Sequence, residues 1–569
     1  MCDEETSFIS SNGLSNVRKA ARVLQMWPQL HSKFPAIWKK ITLHLDCDQS
    51  TLLRIANELK KHPDVFEMFA RNPRDPIILL PPTSKRLLNG CRQIRKSKNG
   101  QQSDPSALHT HHDSPDLCTV SDIECTHTKC WRFNLRCRSC KSYYRYSTFF
   151  DSDKKKFFLY DTPRPYVEIS RELCCTRRLC ILITSDMYFK QCSFQAFSSS
   201  VQNAFGISDD YNRKQLAEAF FKYHIEEYLR RLGKLSVGLT AENDWDEALT
   251  DLNQTLRSEL LPHDHYEICI GRGCRDAVAM DGNWKFSHVI CSFLIKKTHS
   301  KFPLLKFPRQ CTEEPLSGFL YCKAHIDIAR AEGLPVTAAA ERKARLNDTL
   351  VAAALETESD TAEIFTTTLA CRKNLGQHRY LKSRSRGWLF FVTAGGIIRM
   401  FRPLYGSESS SQVFFHTVEY LFQELSTRNP ADYARFTLCY DDMCHLNALR
   451  QAAEELPYPA PYSTMWFKVQ KVIDRFHMRN HKPECFTKYN ADEKLAAIHG
   501  NGTSINTESA EQVFSQLRNF KASLFVMGKR RQEFFLHVIS RMHNCHVEKS
   551  MAKGCLPIHF NGRRRSNTM

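Results

Sequence analysis

The chain has no run of 18 apolar residues. Its nearest approach, residues 387–401, is interrupted by glycines and by Arg399 and reads as paired strands, so no membrane span is expected. The opening Met1-Cys2-Asp3-Glu4-Glu5-Thr6 carries neither the basic nor the apolar stretch of a secretion signal, which points to an intracellular protein. In a reducing compartment 23 cysteines stay as thiols, and their clustering then favours metal over disulfides. A Walker-type phosphate loop, a dinucleotide glycine fingerprint and a Gly-x-Ser-x-Gly elbow are all missing, which weakens kinase, dehydrogenase and hydrolase readings. No internal repeat is evident.

What is present is a long, basic chain with ample apolar material. At 569 residues and 42% hydrophobic content it can build two or more cored domains. A net charge of +19 favours an acidic partner, DNA or RNA, because neutralising phosphates releases their counterions. Residues 1–84 read as a helical N-terminal region, with apolar-periodic runs at 20–30 and 52–69 broken near Pro35 and Pro63. A polar loop opens the next segment, 85–165, which reads as a cysteine-cluster zinc module. Its knuckle is Cys137-Arg138-Ser139-Cys140, with Cys118 as a third ligand and Cys91, Cys125 and Cys130 as competitors. Tyr143, Tyr144 and Tyr146, interleaved with Arg138, Lys141 and Arg145, suit base stacking and phosphate contact or the packing of a small domain. Residues 166–265 read as mostly helical, with Cys174, Cys175 and Cys180 as buried thiols inside a helix over 168–185. The tail, 546–569, is basic. Its Arg563-Arg564-Arg565, like Lys529-Arg530-Arg531, suits phosphate contact, a nuclear address or plain solvated surface.

Three acids stand in contexts that expose a carboxylate at the end of a core element. Asp281 closes the apolar run Val278-Ala279-Met280 and precedes the turn-forming Gly282-Asn283; Asp441 closes Phe436-Thr437-Leu438-Cys439-Tyr440. Glu511 lies beside the helical stripe Ala510, Val513, Phe514 and Leu517. Grouped carboxylates suit two Mg²⁺ or Mn²⁺ ions, which can activate water and stabilise both oxygens of an in-line displacement at phosphorus. Asp442 and Glu508 are close enough in sequence to be alternative members. A second zinc set is Cys291, Cys311, Cys322 and His325, with Cys291 placed on the second strand and Cys269 and Cys274 competing. Helices, including one over 337–356, are expected in the Ala-, Glu- and Arg-rich insertion that follows. Cys444, His477, His481 and Cys485 form a third constellation, suited to zinc, a hydrogen-bond scaffold or DNA contact; on one helix His477 and His481 would share a face.

From Cys269 to Asn544 the chain resembles the KDZ (Kyakuja, Dileera, Zisupton) transposases. The marks are Met280-Asp281-Gly282-Asn283, Thr393-Ala394-Gly395-Gly396, Glu408-Ser409-Ser410-Ser411-Gln412-Val413, Tyr440-Asp441 with Cys444, Asp474-Arg475-Phe476-His477 with His481 and Cys485, and Glu511-Gln512-Val513-Phe514-Ser515. The cysteine knuckle with its following tyrosines also resembles the cluster that accompanies those transposases. The resemblance implies an α+β multidomain protein in which helical and zinc-binding N-terminal regions precede an RNase H-like α/β core. That core would span 266–545, with a zinc and helical insertion at about 291–375. Asp281 would lie on its first strand, Asp441 after its fourth and Glu511 on a later helix. It further implies a DDE-type transposase or nuclease that acts on DNA in the nucleus with Mg²⁺ or Mn²⁺ and Zn²⁺, as a monomer or a homo-oligomer. The rival reading is a domesticated, non-catalytic nuclear zinc protein that keeps the scaffold for DNA or protein binding.

Overall fold

The structure is a computed structural model that describes most of residues 143–555, with its longest internal gap at 348–382. Before them it describes Arg54, which is helical, and four short strands. The remainder of the helical runs expected in 1–84, the Cys137-x-x-Cys140 knuckle and Arg563 to Arg565 lie outside the described residues. The chain divides into two compact units, Met1–Leu252 and Asn253–Met569.

The first unit holds β1 (Ile77–Leu79), β2 (Asp116–Ser121), β3 (His127–Arg132), β4 (Leu135–Arg136), β5 (Tyr143–Tyr144), β6 (Thr148–Asp151), β7 (Lys156–Leu159), β8 (Tyr166–Glu168) and β9 (Leu173–Thr176). They form one sheet in the order β1-β3-β2-β9-β8 and an antiparallel meander β4-β5-β6-β7. Cys118 on β2 stands in register with Cys130 on β3. The helix expected over 168–185 begins only at Arg177, so Cys174 and Cys175 lie on a strand instead. A short apolar run such as Leu173-Cys174-Cys175 does not distinguish helix from strand by its spacing. Pairing decides it, parallel to β2 and antiparallel to β8. Thr176 then caps α1 (Arg177–Phe189), its side chain accepting from the Leu179 N–H at 3.2 Å. After α2 (Phe194–Phe205), α3 (Arg213–Arg231) returns to α1, where the Arg177 guanidinium donates to Glu226 and Glu227, each at 2.7 Å. The three thiols are buried, and burial pushes that of Cys175 up to about 12, which suits packing rather than ligation.

The second unit is built on one mixed sheet of β10 (Ala277–Asn283), β11 (Ser385–Thr393), β12 (Ile398–Tyr405), β13 (Thr437–Tyr440) and β14 (Gln470–Val472), in the order β12-β11-β10-β13-β14. β10, β11 and β12 are antiparallel, whereas β13 and β14 run parallel to β10. Helices cover both faces, which is why the strands read as unbroken apolar runs. On one face Phe391 stacks on Tyr420 of α4 (Ser410–Leu425), ring centroids 4.8 Å apart. Its neighbour Phe390 points the other way, as alternation along a strand requires, and meets Phe514 of α5 (Ser509–Leu517) at 5.3 Å. The long α6 (Lys529–Met551) lies on that second face, with His537 against Phe401. Its basic start is committed within the protein: Lys529 Nζ donates to the Thr312 carbonyl at 3.1 Å and Arg530 pairs with Glu314 at 3.3 Å.

Candidate functional site

The register of the second sheet brings two of the expected acids together. Met280 on β10 pairs with Tyr440 on the parallel β13, so Asp281, which continues β10, and Asp441, which follows β13, stand side by side just past the end of that parallel pairing. α5 packs against β10 and β11 and carries Glu511 in its first turn. Asp281 and Asp441 are half-buried and Glu511 is exposed. Burial, then the charges of Glu408, Asp441 and Glu511, pushes the Asp281 carboxyl well above the ordinary carboxylate range. Of the two alternative acids, Asp442 occupies the N-cap position of the short helix Met443–Asn447 without a side-chain cap bond, and its Oδ1 lies 3.5 Å from His445 Nδ1. Glu508 is pushed up by burial and by the charge of Asp474.

Glu408 is a fourth carboxylate that the sequence pattern did not single out as a site residue. It precedes α4, accepts a hydrogen bond from the Tyr440 hydroxyl at 3.0 Å and lies over Gly282. A Cβ at Gly282 would meet the Glu408 carboxylate, so a larger residue directly after Asp281 would displace the end of that side chain. The available signal was an acid just ahead of the helix that follows a strand hairpin. Four carboxylates at one end of a sheet repel one another, and a divalent cation relieves that repulsion through hard oxygen ligation.

His477 faces this cleft rather than the cysteines. Its Nδ1 lies 2.8 Å from Asp474 Oδ2, and its backbone N–H donates to Asp474 Oδ1 at 2.9 Å. That hydrogen bond, and the charges of Asp474, Asp441 and Glu511, raise its pKa against the opposing effect of burial. The shared helix face expected for His477 and His481 does not form, since the helix Arg475–Met478 ends after one turn. Lys482, ahead of Pro483, is extended with ψ 157°, as the proline ring requires of the residue before it. His481 and Cys485 therefore turn to Cys444, with Cys444 Sγ 3.6 Å from His481 Nδ1 and all three potential ligand atoms within 4.8 Å of one another.

Cys291, Cys311, Cys322 and His325 also place their ligand atoms within 4.8 Å of one another. Cys291 is not on the second strand; it lies in an irregular segment whose backbone pairs with the loop carrying Cys311, through Cys291 N–H to Glu313 O at 2.8 Å and Cys311 N–H to Phe293 O at 2.9 Å. Phe293 stacks on the His325 ring at 4.4 Å, and Tyr321, Ile326 and Ala329 close a small apolar core around the thiols. Tetrahedral zinc, about 2.3 Å from sulfur and 2.0–2.1 Å from nitrogen, sets S···N near about 3.6 Å and S···S near about 3.8 Å. The observed separations are 3.2 and 3.6 Å from His325 Nδ1 to Cys322 and Cys291, and 3.9 Å between Cys311 and Cys322. This donor set is compatible with zinc. The helix expected within 337–356 is present as Ala338–Asn347, beyond which the insertion leaves the described residues.

Cys269 and Cys274 take no part in that set and stand instead with His263 and His265. Neither histidine was singled out in the sequence, although the spacing His-x-His-x₃-Cys-x₄-Cys is a readable signal.

Residues 75–205 match the family model described as a CxC5 like cysteine cluster associated with KDZ transposases. The match covers under a quarter of the chain and takes in β1 to β9, α1 and α2. No curated protein matches the chain, and no solved structure does.

Proposed function

We propose that this chain, which carries a cysteine cluster of the kind associated with KDZ transposases, is a nuclear DNA transposase-like protein that cleaves and joins phosphodiester bonds at its acidic cleft. The observation that carries the reading is the register of β10 and β13, which sets Asp281 beside Asp441 with Glu511 within reach of their charge. Mg²⁺ or Mn²⁺ held there would supply activation of water or a 3′-hydroxyl and stabilisation of the leaving oxygen. The protein's part is to position. The pairing of β10 with β13 fixes the two aspartates, the first turn of α5 presents Glu511, and Tyr440 orients Glu408. The strand order, three antiparallel strands followed by two parallel to the first, supports an RNase H-like core.

DNA binding is supported by the net charge of +19 and by an exposed aromatic ring close to Asp281 in sequence. Trp284, three residues past Asp281, is 55% exposed, with Lys285 Nζ 5.9 Å and Lys521 Nζ 5.8 Å from its ring centroid. An exposed ring flanked by cations suits base stacking and phosphate contact. Incubating the purified chain with duplex DNA and either ion tests the proposal, with strand scission and joined products expected. A chain that binds its DNA but yields neither with Mg²⁺ or Mn²⁺ would instead support the non-catalytic reading.

A further inference from the structure

We propose that His263, His265, Cys269 and Cys274 form a structural zinc site at the entrance to β10. The four ligand atoms lie within 4.8 Å of one another. His263 Nε2 stands 3.4 Å from Cys274 Sγ and 3.6 Å from Cys269 Sγ, and His265 Nδ1 stands 3.8 Å from Cys269 Sγ. These bracket the separation of about 3.6 Å that a tetrahedral S₂N₂ zinc imposes.

The surroundings of the four groups suit ligands. The His263 side chain is fully buried, and its other nitrogen, Nδ1, lies 2.8 Å from Glu548 Oε1. A carboxylate in that position fixes the ring tautomer, so that Nδ1 donates to Glu548 and the lone pair of Nε2 faces the sulfurs. Each sulfur is also hydrogen-bonded: Cys269 Sγ accepts from the Tyr266 N–H at 3.2 Å, and Cys274 Sγ is 2.9 Å from Thr393 Oγ1. Gly395 leaves room for them, since a Cβ there would lie 2.7 Å from Cys274 Sγ. Between the two cysteines the chain folds back on itself, the Cys274 N–H donating to the Cys269 carbonyl at 3.0 Å. The ion would join the chain entering β10 to the end of β11 and, through Glu548, to α6. This site is independent of the acidic cleft and of catalysis.

Zinc analysis of the full chain provides the test. The double variant Cys269→Ser, Cys274→Ser should bind one equivalent fewer than the parent, and Cys322→Ser added to it should remove a further equivalent. A soluble double variant with the parent's zinc content would overturn the site. Should that variant fail to fold, thiol alkylation with peptide mapping decides on the parent protein. Cys269 and Cys274 should resist the reagent until a chelator is added; equal labelling with and without chelator, or recovery of the pair as a disulfide, would overturn the proposal. Glu548→Gln leaves all four ligands in place and should weaken this one equivalent by about 10–100-fold in chelator competition. An unchanged titration counts against the site.

Discussion

The acidic cleft and the cysteine–histidine clusters of the second unit are built on opposite principles. Asp281, Glu408, Asp441 and Glu511 come from four separate stretches of the chain and are held near one another against their mutual repulsion by strand register and helix packing. His263, His265, Cys269 and Cys274 lie within one short stretch of chain whose only regular element is the single-turn helix Glu267–Ile270, and Cys311, Cys322 and His325 lie within another short stretch, where a bound cation would hold the backbone together. The cleft is thus a product of the fold, whereas the clusters, with a cation bound, would contribute to making it. Removing an acid should cost chemistry and spare structure; removing a thiol should do the reverse.

The largest expected break is at the cleft. Asp281→Ala or Glu511→Ala removes several kcal/mol of charge stabilisation and should reduce Mg²⁺- or Mn²⁺-dependent cleavage on the order of 10³-fold or more. DNA affinity, measured by titration at fixed salt, should change little and should keep its steep fall with ionic strength, because it rests on basic side chains elsewhere. Cleavage that persists in both variants would mean that other acids do the work.

At the clusters, Cys322→Ser should lower zinc affinity by at least about 10²-fold, read by chelator competition, and should expose amides around Cys291 and Cys311 to hydrogen exchange. Amides of β10 and β13 should stay protected. Loss of protection across the whole sheet would show that cleft and cluster are not separable in the way proposed.

Acid sharpens the contrast, because the core of the second unit also holds neutral histidines. Burial pushes His288 and His537 down to about 3. Each gains a proton in the unfolded chain below its ordinary 6.5 but not in the folded one. Their contribution is therefore full above pH 6.5 and is lost as pH falls towards 3, reaching about 2 kcal/mol per histidine by pH 5. Urea melts at pH 7 and pH 5 should show this loss, and His288→Gln should reduce the pH dependence. The smallest effect expected is that of Glu408→Gln, which removes one of four charges while keeping a partner for the Tyr440 hydroxyl. About a tenfold higher Mg²⁺ requirement for cleavage should result, and an unchanged requirement would remove Glu408 from the metal site.

Much of this was legible in the sequence because it depends on local pattern. Apolar runs ending in an acid marked β10 and the end of β13, although β10 continues two residues past Asp281; the stripe through Val513 and Leu517 marked α5, and the glycine-interrupted run at 387–401 marked a strand pair. Cys322-x-x-His325 could be read as a ligand pair because its spacing is short enough for one turn of chain to set it.

Other features depend on partners far away in sequence, and for these the pattern was silent or misleading. Cys174 and Cys175 have helical surroundings in sequence, and only pairing with β2 and β8 makes their segment a strand. His477 and His481 have the spacing of a chelating helix face, and the turn ahead of Pro483 separates them. Glu408 joins the cleft because α4 starts beside Gly282, and His263 finds its carboxylate on α6. The sequence by itself determined which residues could bind metal and which segments could form strands or helices, since ligand chemistry and side-chain period belong to the residues. Which carboxylates meet, and which thiols find an imidazole, was decided by the tertiary structure alone, since strand register and helix docking are set by packing summed over the whole core.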